Sequence, residues 1–189
     1  MGCRAAPVCT SDDVVLPMIV YKQDESPPAK YPDMGDYDPV LEAALWSRIE
    51  VYIAYRWGER AVTWTLDGSG DWTPPLTPAT VTTIERWNGS EWLEIAETAG
   101  PLGYDFAGGM YRIQATVGST DDVPADVKTA FERLAGYLED EISVSASATR
   151  QNVDYGNGVS VSLSRPASWR GSALQNSGAA DLLRRYRRV

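Results

Sequence analysis

Apolar residues recur at spacings of three and four between Leu41 and Ile53, so that Leu41, Leu45, Ile49, Tyr52 and Ile53 share one stripe of a helix. Asp38-Pro39 supplies an N-cap followed by proline at the first helical position. With Gly58 as the stop, the spacing predicts a helix running to about Trp57. The period then changes to two. AVTWTL (61–66) and MYRIQATV (110–117) alternate as half-buried strands do, and TIERW and SEWLEIA flank Asn88-Gly89. That dipeptide suits a two-residue hairpin loop, whose central positions both need positive φ, and in this register Arg86 faces Glu91. DGSGDWTPPLTP and GPLGYDFAGG read as turn and loop. From Pro124 the helical period returns, with Val127, Phe131, Leu134 and Leu138 on one face and Lys128, Glu132, Arg133 and Glu139 elsewhere. The two helical stripes match in width and are expected to pack together.

The ends are less periodic. Residues 1–37 hold one short apolar run, VVLPMIVY, interrupted by Pro17 and followed by the loop-like QDESPPAKYPDMGDYD. Residues 143–178 are rich in Ser, Gly and Asn, with VSVSLS as a possible strand, and Gly178 precedes a short basic helix, Ala179 to Arg188. These elements predict an α+β fold: a small helical bundle with an inserted antiparallel β-hairpin or sheet and extended N- and C-terminal arms. The expected organisation is an arm at 1–37, a main domain at 38–142 with the β insertion at 61–117, a loop or hairpin at 143–178, and a basic C-terminal docking helix at 179–189.

Charge changes this picture most. The 189 residues carry a net charge of −9, yet the last 25 hold six arginines against Asp181. The tail is therefore +5 and the remainder −14. The chain has no histidine, which removes Ser/His/Asp and Cys/His catalysis, His-ligated zinc and the commonest acid/base at neutral pH. Cys3 and Cys9, the only cysteines, build neither a disulfide framework nor a metal knuckle. The opening MGCRAAPVCT lacks the apolar core of a signal peptide, Ala6 stands where a myristoylation pattern wants Ser or Thr, and no run approaches the length of a membrane span. We expect no enzymatic activity, no cofactor, no metal and no membrane.

Three clusters invite a functional reading. Asp33, Asp36 and Asp38 lack the rest of a calcium loop and read as a solvated turn plus a helix cap. Trp64, Trp72, Trp87 and Trp92 fit hairpin packing and subunit contacts; an aromatic platform for sugar rings is the alternative, making the chain a glycan-binding module that uses a Trp-rich β-sheet. In the basic tail, Leu182, Leu183, Tyr186 and Val189 offer apolar anchors, while Arg184, Arg185, Arg187 and Arg188 seek carboxylates on a partner. So few cations beside −14 would hold DNA only weakly, and docking to a protein is the favoured reading.

The order of these elements resembles the head-tail connector, or adaptor, family of tailed phages and of the phage-like particles called gene transfer agents. The residues that carry it are the helix before RAVTWTLDG, the hairpin TIERWNGSEW, the strand MYRIQATVG, the helix VPADVKTAFERLAGYL and the ending SGAADLLRRYRRV. The last two segments are closest to gene transfer agent adaptors. At the opening, PVCTSDDVVLPMIVYKQDESPP replaces the early helix of the phage members. The resemblance implies a structural protein assembled in the bacterial cytoplasm and sited at the head-tail interface. It further implies a ring, typically of twelve copies, beneath the portal, with the C-terminal segment inserted into the portal and the opposite face receiving a stopper or tail-completion protein. An acidic ring would let DNA through its channel toward the tail without holding it.

Overall fold

The structure, a computed structural model, describes residues 17–96, 99–139, 150–154, 160–164 and 171–187. In chain order the elements are β1 (Ile19–Glu25), α1 (Pro39–Tyr52), β2 (Arg60–Trp72), β3 (Ala79–Trp87), β4 (Trp92–Glu94), β5 (Ala99–Gly100), β6 (Gly103–Val117), α2 (Ala125–Glu139), β7 (Arg150–Asp154), β8 (Ser160–Ser164), α3 (Ala173–Asn176) and α4 (Ala179–Leu183). A 3-10 turn, Arg184–Tyr186, continues α4. The described residues form two compact units. One comprises the residues up to Glu25 with Ala61–Pro74 and Val81–Ala115; the other comprises Ser26–Arg60, Pro75–Thr80 and the residues from Thr116 onward.

A six-stranded antiparallel sheet dominates the first unit, in the order β1-β2-β6-β3-β4 with β5 on β6. The expected small helical bundle with an inserted hairpin is thereby overturned: the sheet is the largest element, not an insertion. The physical reason lies in the glycines of DGSGDW and GYDFAGG. Instead of ending strands they bend them, at Gly68, Gly70, Gly108 and Gly109, all with positive φ. β2 thus runs 13 residues and β6 runs 15. Eight residues of straight strand would separate Trp64 from Trp72 by about 26 Å. Their rings instead meet at 5.4 Å, and those of Phe106 and Tyr111 at 4.5 Å, because each strand folds back over its own inner face. Val62, Leu66, Ile84 and Ile113 fill the core so formed.

Part of the expected N-terminal arm joins this sheet. β1 pairs antiparallel with β2 from Ile19↔Asp67 to Glu25↔Val62, with a bulge between Val20 and Lys22. The β3–β4 hairpin forms around Asn88-Gly89 in a different register from the expected one. Trp87 faces Trp92 and Arg86 faces Leu93, so Arg86 does not meet Glu91. The Asn88 side chain accounts for the change: its Oδ1 accepts from Ser90 N, Ser90 Oγ and Glu91 N, closing a longer loop around itself.

In the second unit, Asp38 caps α1, its carboxylate accepting from Val40 N at 2.9 Å and Leu41 N at 3.1 Å. The helix ends at Tyr52, short of the expected Trp57. Arg56 accounts for the early stop, since its Nη1 donates to Glu50 O and Ile53 O and satisfies carbonyls left open at the helix end. Leu45, Trp46 and Ile49 of α1 pack in one cluster with Val127, Ala130, Phe131 and Leu134 of α2, as the matched stripes predicted. Ala173, Ala179 and Leu183 of the short C-terminal helices complete it. Beside this core, a Cβ on Gly58 would lie 2.5 Å from Lys30 O, and one on Gly118 would collide with Gly58 O; both glycines also have positive φ. β7 and β8 form a separate two-stranded ladder.

Candidate functional site

The basic tail is where sequence and structure add most to one another. Gly178, with φ of 74°, turns the chain into α4. α4 then lies on α2, with Leu183 fully buried and Leu182 half-buried. Tyr186 follows, half-buried between Tyr55 and Trp57, whose ring centres lie 6.2 and 5.8 Å away in edge-to-face geometry. Its hydroxyl donates to Asp126 Oδ1 at 3.2 Å and accepts from Arg185 Nη2 at 2.6 Å. Arg185 also pairs with Asp126 Oδ2 at 2.7 Å. Burial pushes the Tyr186 phenol above its ordinary pKa; the Arg185 hydrogen bond opposes that shift and the Asp126 charge adds to it.

Arg184, Arg185 and Arg187 are exposed, with the Arg187 guanidinium 4.8 Å from the centre of the Tyr52 ring. Arg188 and Val189 lie outside the described residues. The tail therefore divides its labour. Leu183 and Tyr186, read from sequence as anchors for a partner, seat the segment on its own helices, and the arginines face solvent.

The four tryptophans do not form one platform. Trp64 and Trp72 are buried inside the bent sheet. Trp87 and Trp92 sit together at the hairpin, 5.3 Å apart, with Arg112 stacked 4.8 Å over Trp92. Arg112 forks onto Glu85 (Nε to Oε2 2.6 Å, Nη2 to Oε1 2.8 Å), and these hydrogen bonds hold the Glu85 carboxyl below the usual carboxylate range. Of the Asp33, Asp36 and Asp38 cluster, Asp38 is used as the cap and Asp33 accepts from Gly35 N. Among the described residues no three His, Cys, Asp or Glu side chains converge as metal ligands.

Sequence reading passed over a buried ion pair. Glu50 and Arg60, 5% and 7% exposed, meet through two hydrogen bonds of 2.9 and 2.7 Å. Trp57 N and the Tyr31 hydroxyl both approach the Glu50 carboxylate at 3.4 Å, and Arg60 lies over the Tyr31 ring. Burial, then the Glu50 charge, raises the Tyr31 phenol pKa, so Tyr31 is no base at neutral pH. An open cleft of about 410 Å³ beside it is lined by Lys30, Lys128, Asp33, Asp121 and Asp122 together with the hydroxyl residues Ser119 and Thr120.

No protein-family model and no curated protein sequence matches the chain. Among solved structures it is similar to a chain of the "Virion of native gene transfer agent (GTA) particle". That match has 19% identity and a TM-score of 0.49, and it covers 79% of this chain and 76% of that one.

The tail differs from the other clusters in what it presents. Arg112 is already spent on Glu85, and Arg60 on Glu50. Arg184 and Arg187 sit at the surface of an otherwise acidic chain. The signal for this was the charge sorting. The signal for the seating on α2 was the interleaved Leu182, Leu183 and Tyr186.

Proposed function

We propose that this chain is a structural adaptor at the head-tail junction of a phage or phage-like gene transfer agent. It would form a ring under the portal, dock through its C-terminal segment and extend the DNA channel toward the tail. The observation that carries this reading joins sequence and structure. VPADVKTAFERLAGYL and SGAADLLRRYRRV, the segments closest to the adaptor family, form α2 and the seated tail, which share a core through Leu183 and a polar tie through Asp126, Arg185 and Tyr186. The acidic remainder of the chain suits a channel that repels the DNA backbone.

In this reading the docking face is the solvent side of the tail, Leu182, Arg184, Arg185 and Arg187 with Arg188 and Val189 beyond them, held in place by Leu183 and Tyr186. Replacing Arg184 and Arg187 with Glu leaves the Asp126 tie intact. Capture on immobilised portal protein should then fall about tenfold or more, with the loss largest at low salt, while the melting temperature falls only by the small share of the lost Arg187–Tyr52 contact. Undiminished capture would remove the tail from the interface.

A further inference from the structure

Asn88-Gly89 does more than turn the β3–β4 hairpin. An asparagine followed by glycine is open to attack by its own backbone, since the glycine nitrogen is one bond short of a five-membered ring with the side-chain amide carbon and no Cβ obstructs its approach. The loop leaves that nitrogen free. Asn88, Gly89 and Ser90 are exposed, and nothing lies within 4 Å of the place where a Cβ on Gly89 would stand. Among the described residues, Gly89 N donates to no acceptor. Asn88 Oδ1, by contrast, accepts from Ser90 N at 2.9 Å, Ser90 Oγ at 3.0 Å and Glu91 N at 2.9 Å. Two of those donors are backbone N–H groups, which identifies the accepting atom as the amide oxygen. We propose that Asn88 is a self-modifying site, at which the loop itself promotes conversion of the asparagine to aspartate and isoaspartate.

Water is the one co-reactant the step needs. Gly89 N gives up its proton to hydroxide and attacks Asn88 Cγ, and the new C–N bond pushes the carbonyl electron pair onto Oδ1. As this tetrahedral species collapses, the side-chain nitrogen takes a proton from water and leaves as ammonia, and a cyclic imide remains. Water then opens the ring at either carbonyl, giving aspartate or isoaspartate. The oxygen that becomes negative is the one already held by three donors. A hydrogen bond to an ionised acceptor is about twice as strong as one to a neutral acceptor, so the donors favour the tetrahedral species over the resting amide. Aspartate at position 88 offers the same donors a better acceptor, and the hairpin survives with one more negative charge on a chain of −9. Isoaspartate lengthens the main chain by one carbon in the loop that sets Trp87 opposite Trp92. The chemistry is the same whatever the chain assembles with.

Peptide mapping by mass spectrometry tests it, on the full chain held at mildly alkaline pH and body temperature, folded and in denaturant. Asn157-Gly158 supplies the same dipeptide in the same sample. We expect Asn88 to convert about fivefold or more faster in the folded chain than in the denatured one, the worth of one net hydrogen bond. Ser90→Ala removes the Oγ donor and leaves both backbone donors. It should slow the folded-state conversion of Asn88 about fivefold, with the rate at Asn157 and the denatured-state rate of Asn88 unchanged. Four results would overturn the proposal. Conversion slower in the folded chain than in denaturant would mean that the donors hold the carbonyl away from Gly89 N. A Ser90→Ala chain that converts at the wild-type rate or faster, a Ser90→Ala effect equally large in denaturant, or no conversion at Asn88 would each remove the role assigned to the loop.

Discussion

At the scale of single residues, Glu50 and Arg60 bind the ends of a loop that no periodicity marks. Both are buried, so removing one partner strands the other charge. Glu50→Ala should lower the unfolding free energy by about 3–5 kcal/mol in denaturant titration, far more than loss of the exposed Lys22–Asp24 pair. A cost below about 1 kcal/mol would show the pair to be incidental. Tyr186 makes a pH prediction. Its pKa is raised in the folded chain, so folding favours the protonated phenol; that contribution is complete below the ordinary tyrosine value near 10 and is lost as pH rises through the folded value. Stability should therefore fall as pH rises above about 10. Tyr31 and Tyr37 are raised too, chiefly by burial, so the tail's share is read from Tyr186→Phe, whose alkaline loss should be shallower. Identical alkaline curves for both proteins would mean Tyr186 is not buried as described.

At the scale of elements, the tail is part of a core and not a detachable peptide. Leu183→Ala should cost about 2–5 kcal/mol, and deleting residues 179–189 should loosen α1 and α2 as well as remove the arginines. Retained cooperativity in the deleted chain, by calorimetry, would restore the view of a free docking peptide. What sequence made legible here was local. Asp38-Pro39 set the start of α1, and Val127, Phe131 and Leu134 set the buried face of α2, because caps and stripes act over a few residues. What escaped was set by distant contacts. DGSGDW carries ordinary turn signals; only the meeting of Trp64 with Trp72 shows that the strand continues through it. β1 gave no alternation because its residues are exposed on both faces, and Ile19–Glu25 becomes a strand through pairing with β2. Asn88-Gly89 located the hairpin correctly and misled on register, since the Asn88 side chain chose a longer loop. At the candidate site, the arginines were legible from charge alone, whereas the Asp126 tie joins residues 60 positions apart and left no trace in spacing.

At the scale of the whole molecule, charge is divided between an acidic chain and a basic end, and the exposed arginines are carried by a segment whose apolar residues face inward. Trp64 and Trp72 are buried while Trp87 is exposed at the hairpin, and four of the 17 basic residues stand among the last six of the chain. On the adaptor proposal, that division would let the chain grip a protein while nucleic acid passes. The most direct measurement is electron microscopy of intact particles carrying a small gold-binding tag after residue 189. We predict label confined to the vertex where head meets tail, arranged as a ring. Label spread over the capsid, lying along the tail, or absent from purified particles would contradict the adaptor assignment.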